Sequence, residues 1–259
     1  MIPIFMSKIF KNQTVVISGG LGDIGFATAK LFAAQGANIA LSDLHPDHIA
    51  IPYLAELKKH DVNCLYTQTD VTDVDAIHNW INEAEKTLGT ITITIANAAT
   101  VTLKRIHEIT PAQWSKELRV NLDSAFFLTQ YTTAKLVAKK MPGRVVFVGS
   151  WAGTKVHAHI PAYSVAKAGL SMLCKCMALE LAEHNILVNE IAPGFVSAGL
   201  TGKIWKDNPG REELAKAKVP TKKVITADEV ASQILFLCNP TNQHMTGSTL
   251  LMDGGLSLQ

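Results

Sequence analysis

The stretch that most constrains this chain runs from Thr14 to Gln35. Thr14-Val15-Val16-Ile17-Ser18 is a short β-branched run of the kind that makes a strand buried on both faces. It passes directly into Gly19-Gly20-Leu21-Gly22-Asp23-Ile24-Gly25, after which Phe26 to Gln35 keeps helical spacing. A strand, a glycine-rich turn and a helix in that order bring bare backbone amides and the positive end of a helix dipole to one point, which suits a pyrophosphate. The order of the elements, not the glycine count, carries that reading.

The same alternation continues. Asn38 to Ser42 reads as a second strand ending at Asp43 and Leu44. An acid there can accept from both hydroxyls of an adenosine ribose and would repel a 2′-phosphate; with no Arg or Lys in the glycine loop, NAD is expected rather than NADP. The alternative is that Asp43 caps a helix starting near Pro46. Val62 to Gln68 is a third strand, followed by Asp70-Val71-Thr72-Asp73; Thr72 or Asp73 can cap a helix reaching about Leu88, and an adenine ring could lie against Asp70 and Val71. Ile91 to Ala96 is a fourth strand closing in Asn97-Ala98-Ala99, where small residues leave room for a cofactor and Asn97 can tie neighbouring strand ends. A long helical pattern runs from Pro111 to about Lys140 and carries Asn121, a polar group that must find partners or cost stability. The strand Ile186 to Ile191 ends at Ala192-Pro193-Gly194, and Phe195 to Val219 breaks periodicity as a substrate lid would. A helix from Ala227 to Leu237 and a strand from Ser248 to Met252 complete an α/β, Rossmann-like, doubly wound parallel sheet with helices on both faces.

With 259 residues and 47% hydrophobic content the chain suits one large domain, expected over residues 14–259 after an N-terminal extension of residues 1–13, whose Met1 to Met6 reads as frayed. A net charge of +2 from dispersed residues points to neither nucleic acid nor an anionic membrane surface. Cys64, Cys174, Cys176 and Cys238 have neither metal-ligand nor redox spacing. Reduced thiols, no secretory signal and no apolar run long enough to span a bilayer lead to the expectation of a cytoplasmic protein without a metal.

Arg144 to Gly149 reads as another doubly buried strand, with Ser150 at its carboxyl end. From Tyr163 the chain is helical again, so Tyr163 and Lys167 lie one turn apart on one face. A free tyrosine is too weak an acid to serve as a base at neutral pH, and a nearby ammonium would favour its phenolate.

These motifs, from Thr14 to Gly255, together resemble the short-chain dehydrogenase/reductase family. The likeness rests on Ser18 to Gly25, Asp43, Asp70, Asn97-Ala98-Ala99, Asn121, Ser150, Tyr163-Ser164-Val165-Ala166-Lys167 and Pro193-Gly194, in the family's order and spacing. It implies catalytic roles for Asn121, Ser150, Tyr163 and Lys167. It implies cofactor contacts from Ser18, Gly19, Leu21, Gly22, Asp23, Ile24, Gly25, Asp43, Leu44, Asp70, Val71, Asn97, Ala98, Ala99, Tyr163, Lys167, Pro193, Gly194 and Val196, and substrate contacts from Ser150, Trp151 and Tyr163. Tyr163 would exchange the substrate's hydroxyl proton, Ser150 would hold its oxygen, Lys167 would acidify Tyr163 and bond the nicotinamide ribose, and Asn121 would hold a water leading to solvent.

Four positions depart from the family's pattern. Ser18 replaces a threonine, Asp23 a glycine, and Ala198 a threonine beyond Pro193-Gly194 for which Ser197 or Thr201 would substitute; Ala99 replaces a further glycine with little consequence. Trp151, His157, His159, Phe195, Leu200, Ile204 and Trp205 are expected to flank the substrate, with Lys155, Lys203 and Arg211 near the rim. The expected substrate is a small polar secondary alcohol or its ketone, such as a polyol, sugar or hydroxy acid. A 3-oxoacyl thioester reductase using NADP, or a dinucleotide-sensing scaffold without turnover, is the alternative. The family resemblance also implies a homo-oligomer, dimer or tetramer, through Pro111 to Lys140, Pro161 to Glu183 and Gly247 to Gln259.

Overall fold

The computed structural model describes residues 8–199, 202, 205 and 210–259. Seven parallel strands form one sheet in the order β3-β2-β1-β4-β5-β6-β7. They are β1 (Thr14–Ser18), β2 (Asn38–Asp43), β3 (Cys64–Gln68), β4 (Ile91–Ala96), β5 (Gly143–Val148), β6 (Ile186–Pro193) and β7 (Thr249–Met252). Every residue of β1 and β6 is buried, as the uninterrupted apolar runs require of central parallel strands. Between β1 and β4 the strand order reverses, and the crevice at their carboxyl ends is where open α/β sheets take ligands.

Helices α1 (Asp23–Ala34), α2 (Asp47–Lys58) and α3 (Val74–Leu88) link the first four strands. Asp73 caps α3 by accepting from the amides of Asp75 and Ala76, and Ile77, Trp80, Ile81, Ala84 and Leu88 form its buried stripe. Asp43 does not cap α2, whose N-cap is Pro46 with no side-chain hydrogen bond. Two apolar clusters cover the two faces of the sheet, one around Phe32, Ile39 and Ile234, the other around Trp80, Phe147 and Leu170. Part of the expected N-terminal extension belongs to the first of them: Phe10 is fully buried, its ring edge-on to Phe32 at 4.8 Å. Met1 to Met6 lie outside the described residues.

The long helix expected after Pro111 is interrupted. It comprises α4 (Pro111–Leu118), a π-helical turn over Arg119–Asp123, and α5 (Ser124–Lys139). On the far side of β5, α6 (Pro161–Leu181) lies along β6, exposing Val165, Met172 and Leu179 at every seventh position. A last helix, Ala227–Leu237, packs against α1. Among the described residues no helix is long and apolar enough to cross a membrane.

Candidate active site

At the nucleotide end, the glycine loop is drawn together by backbone bonds and by Asn97. Gly20 N donates to Ser42 O at 2.8 Å, and Asn97 Nδ2 donates to the carbonyls of Ser18 and Gly19, each at 3.0 Å. The buried Ser18 hydroxyl accepts from the amides of Asn97 and Ala98 at 3.1 and 3.2 Å, so it joins β1 to β4. Gly19 has a φ of +63°, and a Cβ on Gly25 would lie 2.3 Å from Gly19 O; only glycine allows α1 to start this close to the loop. Gly22 is the N-cap of α1 and no side chain caps the first-turn amides, which leaves them to an anion. Asp43 completes this end from β2, its carboxylate accepting from Leu21 N at 3.2 Å and Leu44 N at 2.8 Å.

These features fit a dinucleotide. The loop can take a pyrophosphate, Asp43 a ribose, and the buried Val71 a base; Asp70, beside it, accepts from both the amide and hydroxyl of Thr72. Leu44 is largely exposed at the rim, while Ala98 and Ala99 lie half-buried beyond β4. Pro193 ends β6, Gly194 N donates to Met252 O at 2.8 Å, and Val196 is buried opposite Ile225. Ala198, which has no hydroxyl to offer, lies against the first core cluster; of the two substitutes considered for it, Ser197 is exposed and Thr201 lies outside the described residues. Asp23, the unusual acid of the loop, turns across the cleft, and its Oδ2 accepts from Gly199 N at 2.6 Å.

At the other end, Ser150, Tyr163, Lys167 and Asn121 come together. Ser150 follows β5, is 8% exposed and accepts from Ala152 N at 3.2 Å. Tyr163 is half-buried at the start of α6; burial pushes its phenol up to about 12, a hydrogen bond with Ser150 opposes that, and Glu117 adds to it. Lys167 is buried with Nζ 5.6 Å from the centre of the Tyr163 ring, and it donates to Val148 O at 2.7 Å. Burial brings its amine down to about 8, with Glu190 opposing. The Lys167 amine thus stands beside the Tyr163 ring while bonded to Val148 O, and burial is the largest influence on the phenol.

Asn121 sits in the π turn, 1% exposed, its Oδ1 accepting from Thr100 N at 3.0 Å and its Nδ2 donating to Thr100 O at 2.9 Å. One residue pair on, Glu117 accepts from Thr102 N. The two side chains thus hold the segment beyond β4 as the edge of a strand would. Glu117 is completely buried, and burial raises its carboxyl against the hydrogen bond from Thr102; among the described residues its Oε2 has no partner. Sequence reading missed Glu117 and Glu190, since a single Glu inside an apolar pattern does not reveal what it faces.

Trp151 forms a wall beside Ser150, with ring centres 5.6 Å from His157 and 5.4 Å from Phe195, edge to face; Trp205 lies 6.5 Å from Phe195. His159 is exposed in the loop leading to α6, its carbonyl accepting from Lys104 N at 2.9 Å. Lys155 is bound to the carbonyls of Ser257 and Gln259, and Arg211 is exposed on a separate helix. Leu200, Lys203 and Ile204 lie outside the described residues. Among the described residues, no group of three His, Cys, Asp or Glu is placed to hold a metal ion, and the four cysteines are unpaired.

Comparison with known proteins agrees with this arrangement. Residues 20–257 match the family model described as enoyl-(acyl carrier protein) reductase. The chain is 29% identical to the 2,3-dihydro-2,3-dihydroxybenzoate dehydrogenase of Bacillus subtilis, over 97% of this chain and 98% of that one. It is 32% identical to the D-beta-hydroxybutyrate dehydrogenase of Rhizobium meliloti, over 96% and 100%. The crystal structure of gox2181 superimposes with a TM-score of 0.90 at 26% identity, covering 97% of this chain and 98% of that one. The chain belongs to the short-chain dehydrogenase/reductase family of nicotinamide-dependent oxidoreductases acting on CH–OH groups.

Proposed function

We propose that this enzyme interconverts a small polar secondary alcohol and its ketone using NAD(H), in a single domain of residues 14–259 joined to the preceding segment through Phe10. The observation that carries the reading is the convergence of Ser150, at the end of β5, with Tyr163 and Lys167 of α6, the Lys167 amine lying 5.6 Å from the centre of the Tyr163 ring and bonded to Val148 O just before Ser150. When bound, nicotinamide accepts a hydride from the carbinol carbon or returns it. Ser150 donates to the substrate oxygen and opposes the charge that builds on it. Tyr163 takes the hydroxyl proton in oxidation and gives it back in reduction. The high proton affinity of the phenol in the free chain suits the donor; a second positive charge entering beside Lys167 would move it toward the base. Asn121 fixes the floor beyond Asn97, and Trp151 and Phe195 form the wall that excludes water.

Asp43 supports the preference for NAD: its carboxylate stands where a 2′-phosphate would meet like charge, and the glycine loop has no cation to offset it. The names of the two dehydrogenase relatives, both hydroxy acids, support a small polar substrate. The name of another relative, the 3-oxoacyl-[acyl-carrier-protein] reductase FabG of Chlamydia trachomatis, 29% identical over 97% of this chain, favours a second reading, a 3-oxoacyl thioester reductase using NADP(H). The exposed row of Val165, Met172 and Leu179 supports a homo-oligomer, and the buried free thiols of Cys174 and Cys238 support a reducing, cytoplasmic setting. The test is a panel of polyols, sugars, hydroxy acids, their ketones and 3-oxoacyl thioesters, assayed with NAD(H) and NADP(H) side by side. Turnover of a hydroxy acid or polyol with NAD is expected. Turnover confined to thioesters with NADPH would establish the second reading, and NAD binding without any turnover would make the chain a sensor.

A further inference from the structure

Glu190 lies in the middle of β6 and is fully buried. An acid on a central strand is costly unless both its oxygens and its charge are met. Oε1 accepts from Ser171 Oγ at 2.8 Å and Oε2 from Thr249 Oγ1 at 2.6 Å, so hydroxyls from α6 and β7 satisfy it. Ser171 is one turn beyond Lys167, and its Oγ lies 3.2 Å from the Lys167 carbonyl. The carboxylate presses on β5 as well. A Cβ on Gly149 would stand 1.9 Å from Oε1, so only glycine can precede Ser150 while this acid is in place. Glu190 is therefore seated against the backbone just before Ser150 and the helical turn that follows Lys167.

Lys167 is the buried cation of the same wall. Among the described residues its Nζ has one protein acceptor for three N–H donors, Val148 O of the peptide that leads into Gly149, and a carbonyl supplies no opposite charge. Each group faces few other charges. Burial raises the Glu190 carboxyl, while the hydroxyls of Thr249 and Ser171 and the charges of Lys167 and Lys175 on α6 lower it and favour the carboxylate; Cys174, on the same helix, has its thiol pushed up to about 12 by burial and Glu190. Lys167 faces Glu190 from β6 and Tyr163 from its own helix, while Glu117 of α4 acts on Tyr163. We infer that Glu190 is a positioning residue whose buried negative charge holds Lys167 as an ammonium beneath Tyr163. Without it, burial alone would govern the amine and drive it toward the neutral form.

The inference rests on the proposed catalytic role of Lys167, and two readouts on the full chain separate them. The first is an NMR titration of protein labelled with carbon-13 at lysine Cε, with the Lys167 signal assigned by its loss in Lys167→Met. In Glu190→Gln, which keeps the shape of the side chain, the Lys167 midpoint should fall by about one pH unit. The second is the pH profile of ketone reduction, whose alkaline limb should fall by the same amount while the rate on the acid side is kept. Thr249→Val removes a hydroxyl but leaves the charge, so it should lower the melting temperature without moving the Lys167 midpoint. An unmoved midpoint in Glu190→Gln, or an equal displacement in Thr249→Val, would overturn the inference. A midpoint that moves while the rate limb does not would leave it standing and refute the catalytic role of Lys167. Should Glu190→Gln not fold, reciprocity supplies the check: the carboxyl signal of Glu190 should titrate about one unit higher in Lys167→Met than in the wild type, and no difference would refute the coupling.

Discussion

The two ends of the cleft are built differently. At the catalytic end the ionisable groups are withdrawn from water, and burial is the largest influence on each: Lys167 is 2% exposed, and Glu117 and Glu190 are each 0% exposed. At the nucleotide end the work falls to backbone. Glycine amides face the helix start, Asp43 is occupied by two main-chain amides, and the neighbouring Leu44 is 62% exposed. Charges in the dry wall act at several times the strength they have at the wet rim. Substitutions at the first end should therefore change the chemistry by orders of magnitude, and those at the second should change affinity by modest factors.

The largest effect is expected from Tyr163→Phe. The ring remains, so packing against Lys167 and the start of α6 is kept, but the proton has no carrier. Turnover should fall roughly a thousandfold, while the Kd for NADH, read from its fluorescence, should stay within about twofold. A variant retaining a tenth of wild-type turnover, or one with NADH affinity lost as well, would break the contrast between the two ends.

Asp43→Ala probes the rim. It removes the acceptor proposed for ribose hydroxyls together with the bond to Leu21 N. The Kd for NADH should rise about tenfold, with the handicap of NADPH shrinking and kcat at saturating cofactor close to wild type. A large loss of kcat would show that Asp43 shapes the loop through Leu21 as far as the reacting end, and the two ends would not be separable.

What could be read from sequence divides along the same line. The strand ends and the glycine loop follow from local chemistry: a β-branched run, a turn only glycine allows, and Asp73 at the start of a helical pattern. Asn97 could be read because a side-chain amide at a strand end has few places to reach other than the next strand. The π turn over Arg119–Asp123 could not, because apolar spacing continues through it and the turn is fixed by the bonds of Asn121 to Thr100, 21 residues away. Helical spacing placed Lys167 beside Tyr163 but did not say which way its amine turns; that depends on Val148, 19 residues earlier in the chain. Glu190 is bound by Ser171 and Thr249, 19 and 59 residues distant in the chain. Buried polar groups that close over such distances leave no periodic trace, whereas Phe10 shows that an apolar residue of the expected N-terminal extension can belong to the core.

Asp23→Gly gives the smallest expected effect and the finest test of the rim. Asp23 has two opposed consequences there. Its charge, at the first position of α1, favours the helix dipole but competes with any anion approaching the same amides. Its bond to Gly199 N, at 2.6 Å across 176 residues, ties the glycine loop to the segment that follows β6 and includes Val196. That bond is exposed, so water replaces most of what it contributes, leaving about 0.5–1.5 kcal/mol. Removing the charge acts on the pyrophosphate directly and over a short distance, so it should dominate binding. The Kd for NADH is expected to fall about two- to fivefold, with a larger gain at low salt than at high salt. The loosened segment should show instead in the substrate, as a KM raised about twofold at unchanged kcat. Weaker NADH binding in Asp23→Gly would mean that the bridge outweighs the charge, and the rim would then share the cross-chain organisation of the catalytic end.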